Sequence, residues 1–172
     1  MYFLDRNSIE TSPDYYAFII DGKEIKIPGR VYTSYYGMDR FLEPKNETEL
    51  LLFTRCSDGY ARERWVKKIL ESKNLKYIFA PYFALILSEY IIEICEVILA
   101  DKRVYPLLLR FFYENLKYYK TFKSKVISYW SVYYRSSYFK FTNYPLFQLL
   151  SFVEDSNPSF KNSFKSPKIF KK

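Results

Sequence analysis

Lys117, Lys120, Lys123 and Lys125 alternate with Tyr118, Tyr119 and Phe122 in the stretch KYYKTFKSK. Ammonium groups interleaved with rings suit a surface that contacts phosphates while neighbouring rings stack on bases. The plainer reading of the same spacing is a solvated connection whose lysines close a helix favourably against its dipole. A few residues on, SYWSVYYR (128–135) puts four aromatic rings and an arginine into eight residues. Taken as helix at about 100° per residue, Val126, Ile127, Trp130, Tyr133, Tyr134 and Tyr138 gather on one side. Ser124, Ser128, Ser131 and Arg135 share the other. A base-stacking platform needs rings and cations on one exposed face, so this segment reads as an aromatic core face. Tyr129 at its margin and the outward Arg135 remain candidates to meet a ligand.

A second basic group, Arg62, Arg64, Lys67 and Lys68, lies in SDGYARERWVKKIL. Arg64, Lys67 and Lys68 fall outside the apolar arc of that helix and join the candidate binding residues. Arg62 falls inside it and needs an acidic partner if buried, with Asp58 or an acid of the Glu89, Glu93, Glu96 series available. Those three glutamates share a helical face and could meet a cation or a basic partner, but read first as a solvated or internally paired stripe.

Catalytic patterns are scarce. The chain has no histidine, which removes Ser-His, Cys-His and His-metal arrangements. Its four glycines form no phosphate-cradling or dinucleotide loop. Ser137 and Lys140 fit S-x-x-K, a match that arises by chance in a Ser- and Lys-rich chain and lacks its companion motifs. No catalytic residue, metal ligand or cofactor is expected, and the chain reads as a non-enzyme.

The elements that must position these residues follow from composition and pattern. At 172 residues, 49% hydrophobic and 22% aromatic, the chain can bury a substantial core as one domain. The net charge of +8 is uneven. Residues 1–60 carry ten acids against seven bases, whereas residues 111–172 carry eleven bases against three acids. The positive field therefore belongs to the C-terminal third and points to an acidic partner. Two cysteines without a framework spacing, and no visible secretory signal, favour a cytoplasmic location. The apolar run from Tyr77 to Ala100 is interrupted by Glu89, Glu93 and Glu96, which predicts a buried helix and no membrane partner.

Asp21-Gly22 between YYAFII and KEIKI predicts a β-hairpin, and RVYTSYYG after Pro28-Gly29 extends the β region. From Asn46 the period becomes helical. Asn46 with Glu49 caps a short helix, Ser57 or Asp58 caps the next, and Pro81 starts a third running to Ile98. Pro106 starts a fourth through Leu116, a fifth covers about Thr121 to Phe139, and Pro145 to Val153 makes a sixth. The organisation expected is a hairpin segment (1–45) packed on a helical domain (46–153), followed by a basic flexible tail (154–172).

The Asp58, Ala61, Arg62, Trp65 and Ile69 or Leu70 series resembles the second helix of a HEAT-type repeat. A poorer echo, SEYIIEICEVIL, stands about thirty residues later with Glu93 in the arginine place. Small bacterial proteins carrying SDGY-R-R together with SYW-YYR are a further resemblance. The HEAT-type resemblance implies irregular stacked helical hairpins and a protein-protein interaction surface. The expectation is a mainly α, HEAT-like binding module for an acidic protein partner. RNA or DNA binding by the basic C-terminal third is the alternative.

Overall fold

The computed structural model describes residues 9–33, 43–157 and 160. It is mainly helical, with an N-terminal β ribbon. Among the described residues four strands build the ribbon: β1 (Ile9–Thr11), β2 (Tyr15–Ile20), β3 (Lys23–Pro28) and β4 (Val31–Thr33). Asp21 and Gly22 take φ of 52° and 73°, the left-handed pair that a two-residue hairpin turn demands. The predicted hairpin therefore forms between β2 and β3, with Ile20 opposite Lys23 and Tyr15 opposite Pro28. β1 and β4 pair beyond it, Ile9 opposite Thr33, so the extension expected after Gly29 forms as far as Thr33, and residues 34–37 of that stretch lie outside the described residues. Ser12 joins the two ladders: its amide donates to the Arg30 carbonyl at 2.8 Å and its Oγ accepts from the Arg30 amide at 3.0 Å.

Seven α-helices follow among the described residues: α1 (Glu47–Phe53), α2 (Gly59–Leu70), α3 (Ala80–Leu87), α4 (Ile92–Ala100), α5 (Val104–Glu114), α6 (Leu116–Tyr129) and α7 (Pro145–Ser156). The expected caps form. Asn46 Oδ1 accepts from the Glu49 amide, and Asp58 Oδ1 accepts from the amides of Tyr60 and Ala61. α3 is buried along its whole length and is the central helix, as its lack of any polar face requires. The core face of the hairpin rests on α5 and α6, with Phe18 edge-on to Phe111 at 5.1 Å and to Tyr118 at 4.9 Å. Phe112, Tyr119 and Phe122 continue the core towards α7.

Three expected boundaries move. The helix predicted from Pro81 to Ile98 is two, α3 and α4, broken at Ser88–Ile91. Ser88 Oγ donates to the Leu85 carbonyl, a local bond that competes with the helical ladder, and Glu89 turns towards arginines from elsewhere in the chain. The lysine-rich stretch 117–125 is not a connection but α6 itself, because the bend between α5 and α6 falls at Asn115. After Tyr129 the helix widens into a π turn over Trp130–Tyr134. The wider turn changes the angular step, so Trp130 and Tyr134 stay half-buried while Tyr133, expected inside, is exposed.

The C-terminal boundary also shifts. α7 continues through Glu154 to Ser156, and Phe160 is buried with its ring 4.7 Å from that of Tyr119. The chain is thus still tied to the core at residues expected to start a tail, and residues 161–172 of that tail lie outside the described residues. No described helix is long and apolar enough to cross a membrane.

Candidate binding groove

The candidate residues separate sharply by what surrounds them. On α2, Arg64 pairs with Glu43, Lys67 with Glu63 at 2.6 Å and Lys68 with Glu71 at 3.0 Å. The surface depression of about 570 Å³ between them carries as many acids as bases. That group is neutralised on its own surface. Arg135 lies exposed over the Trp130 ring at 5.8 Å and lines neither of the hollows described below.

On α6 the stretch KYYKTFKSK divides by face. Tyr119 is wholly buried, its hydroxyl 3.0 Å from Glu154 Oε1, and Phe122 is buried beside it. The stacking role expected of Tyr119 is therefore corrected: the ring belongs to the core. Lys123 points the same way, with Nζ 2.5 Å from Glu154 Oε1, and is removed from the candidate surface. Tyr118 is partly exposed, but its hydroxyl donates towards the Ala84 carbonyl at 3.2 Å, and burial pushes that hydroxyl's pKa well above the ordinary phenol range. Lys117, Lys120 and Lys125 form no ion pair among the described residues.

Lys125 and Tyr129 meet residues that sequence patterns did not bring forward. A cleft of about 350 Å³ opens where the ribbon crosses the α3–α4 corner, lined by Arg30, Arg55, Glu89, Tyr16, Lys125 and Tyr129 among others. At its floor Glu89 receives three guanidinium groups: Arg30 at 2.6 Å, Arg55 at 3.0 Å and Arg62 at 3.4 Å. Arg55 is almost fully buried, and its second nitrogen donates to the Gly29 carbonyl at 2.6 Å. Arg62, the arginine that needed a partner, has Glu89 and the Cys56 and Ser57 carbonyls, while Asp58 caps its helix. One carboxylate thus ties the ribbon, the α1–α2 connection, α2 and the α3–α4 corner together.

The electrostatics follow from that count. Burial alone raises the pKa of the Glu89 carboxyl, but Arg55, Arg62 and Arg30 outweigh it and hold the group below the usual carboxylate range. Burial lowers the pKa of Arg55, with Glu89 opposing the shift. The cleft lining carries Arg30, Arg55 and Lys125 against Asp14 and Glu89, which leaves a surplus of positive charge at this end. Glu93 and Glu96, expected on the same stripe, are exposed, and Glu96 accepts from the Tyr138 hydroxyl at 3.0 Å.

A second hollow of about 480 Å³ adjoins the cleft and shares Tyr16 and Lys125 with it. It lies between β2 and α6, lined by Ala17, Phe18, Asn115, Lys117, Tyr118 and Thr121. The acid that borders it, Glu114, is already engaged with the Asp21 amide at 3.0 Å and with Arg110 at 3.3 Å. Together the two hollows make one groove, basic along α6 and aromatic at its Tyr129 end, where Tyr90 and Tyr133 stand exposed within 6.4 Å of the Tyr129 ring.

Arg30 and Arg55 escaped the sequence reading because neither belongs to a charge run. The weak signal available was Glu89, an acid inside an otherwise apolar run. Both cysteines are buried, and burial raises the Cys95 pKa far above the ordinary thiol range. Comparison of the chain with protein-family models, with curated proteins and with solved structures finds no match in any of the three.

Proposed function

We propose that this protein is a non-catalytic binding module, and that the groove along α6 receives an acidic segment of a protein partner. The observation that carries the reading is the row Lys117, Thr121, Lys125 with no carboxylate paired to either lysine among the described residues, facing a hollow that β2 walls on its far side. Unlike the neutralised lysines of α2, these cations are left for a partner, and the surplus charge around Glu89 extends the same field. Desolvated charge complementarity gives such a groove specificity and on-rate more than raw affinity.

A second reading, single-stranded nucleic acid, is favoured by one observation: Tyr90, Tyr129 and Tyr133 lean together at the end of the groove that holds Arg30 and Lys125. The two readings separate in one titration series. The probes are a labelled six-residue peptide alternating glutamate and valine, its glutamine counterpart, and a labelled oligothymidine, each followed by fluorescence anisotropy. An acidic-segment site binds the glutamate peptide, weakens with added salt and fails with K117E/K125E, while K67E/K68E binds as the parent does. Tight oligothymidine binding with no response to the glutamate peptide overturns it in favour of the second reading.

A further inference from the structure

The wall of the groove is a strand edge. The amide of Ile19 donates to Asn115 Oδ1 at 2.8 Å, and Asn115 Nδ2 donates back to the Ile19 carbonyl at 2.8 Å. A side-chain amide carries the same donor and acceptor as a peptide unit, so Asn115 stands where a residue of a neighbouring strand would stand. The Asp21 amide, next but one along the same edge, is taken by Glu114.

Outward and inward backbone groups alternate along an antiparallel strand, so the Ile19 contacts set the phase of the whole edge. By that phase, Ala17 and Tyr15 also turn their N–H and C=O groups away from β3. No described group bonds to the Ala17 amide or carbonyl, and Ala17 borders the hollow. The other side of the ribbon is protected differently. Its outward positions on β3 are Glu24, Lys26 and Pro28, the last without an N–H.

Across from Ala17, the positions Lys117, Thr121 and Lys125 repeat every four residues along one row of α6. The row spans about 12 Å, the length of about four residues of extended chain. A strand laid beside β2 at about 4.8 Å turns every second side chain to the core face of the ribbon, where α6 lies. Acidic residues at those alternate places meet Lys117 and Lys125.

We infer that the acidic segment binds as a third strand, added to the Tyr15–Ala17 edge of β2 that the described residues leave open, with its acids turned to α6. This rests on the acidic-segment reading and specifies its mode: main-chain bonds to Ala17 hold the segment, and Lys117 and Lys125 select its charge. The occupant is a protein segment because only a peptide backbone repeats the donor and acceptor spacing that the edge offers.

The test uses the full chain and the glutamate-valine peptide, with two further versions N-methylated at alternate positions, one version odd and one even. In an added strand only one of these sets faces β2, so one methylated peptide should lose at least about tenfold in affinity while the other retains it. A17P gives the second arm. Its outward N–H is absent from the β2–β3 ladder, so the variant should keep its circular dichroism and unfolding midpoint yet bind at least about tenfold more weakly. Equal binding by both methylated peptides, or equal loss in both, overturns strand addition, as does full binding by a folded A17P. If the methylated peptides and A17P bind normally while K117E/K125E still abolishes binding, the mode is wrong and the acidic groove stands. If the unmodified peptide itself does not bind, both fall.

Discussion

At the scale of single residues, Glu89 is the point on which the fold turns. Its carboxylate sits among three guanidinium groups, two of them almost wholly removed from water. Replacing it with glutamine leaves buried cations without their counter-charge, and such a break costs about 3 kcal/mol or more. E89Q should therefore unfold at markedly lower urea, whereas E93Q, at an exposed position, should change stability by less than about 0.5 kcal/mol. The pH dependence has a definite sign. Because the folded carboxyl is held below its ordinary range, its contribution is complete at neutral pH and is lost as pH falls through the folded value. Urea midpoints measured from pH 7 downward should drop below the usual carboxylate range, and more shallowly in E89Q. A wild-type profile that E89Q merely displaces downward, without changing its slope, would contradict the assignment.

At the scale of elements, local chemistry was legible and distant polar pairing was not. Asp21-Gly22 announced its turn because both residues tolerate positive φ, and Asn46 and Asp58 announced helix starts because a side-chain oxygen can satisfy nearby amides. The D58A variant should lose about 1 kcal/mol in equilibrium unfolding, the usual worth of such a cap. The break between α3 and α4 was hidden in an apolar period that runs through it, since what bends the chain is a carboxylate meeting arginines 27 to 59 residues away. The π turn after Tyr129 was equally hidden, and with it the exposure of Tyr133. Asn115 belongs to the same class: nothing local marks an asparagine that bonds a strand 96 residues earlier. N115A should cost about 1 kcal/mol and speed hydrogen exchange at the Ile19 amide before that of the core helices, because two bonds tie β2 to the α5–α6 bend there.

At the scale of the whole molecule, the charge gradient along the sequence becomes a gradient across a surface. The N-terminal ribbon and the C-terminal third, of opposite net sign, fold against each other, and the groove forms at their seam. Part of the C-terminal charge is spent internally, as Lys123 on Glu154 shows, and part is left facing the hollow at Lys117 and Lys125. Counting lysines could locate the basic region but not this division, which depends on which face of α6 meets α7 and which meets β2. The central claim, an acidic segment seated between β2 and α6, is tested most directly by an amide chemical-shift titration of the full chain with the glutamate-valine peptide. The predicted result is that the largest shifts fall on Tyr15–Phe18 and on Lys117–Lys125, with the α2 amides of Glu63–Lys68 unmoved. Shifts confined to α2, shifts centred on Tyr90 and Tyr133 alone, or no shifts at millimolar peptide would contradict it.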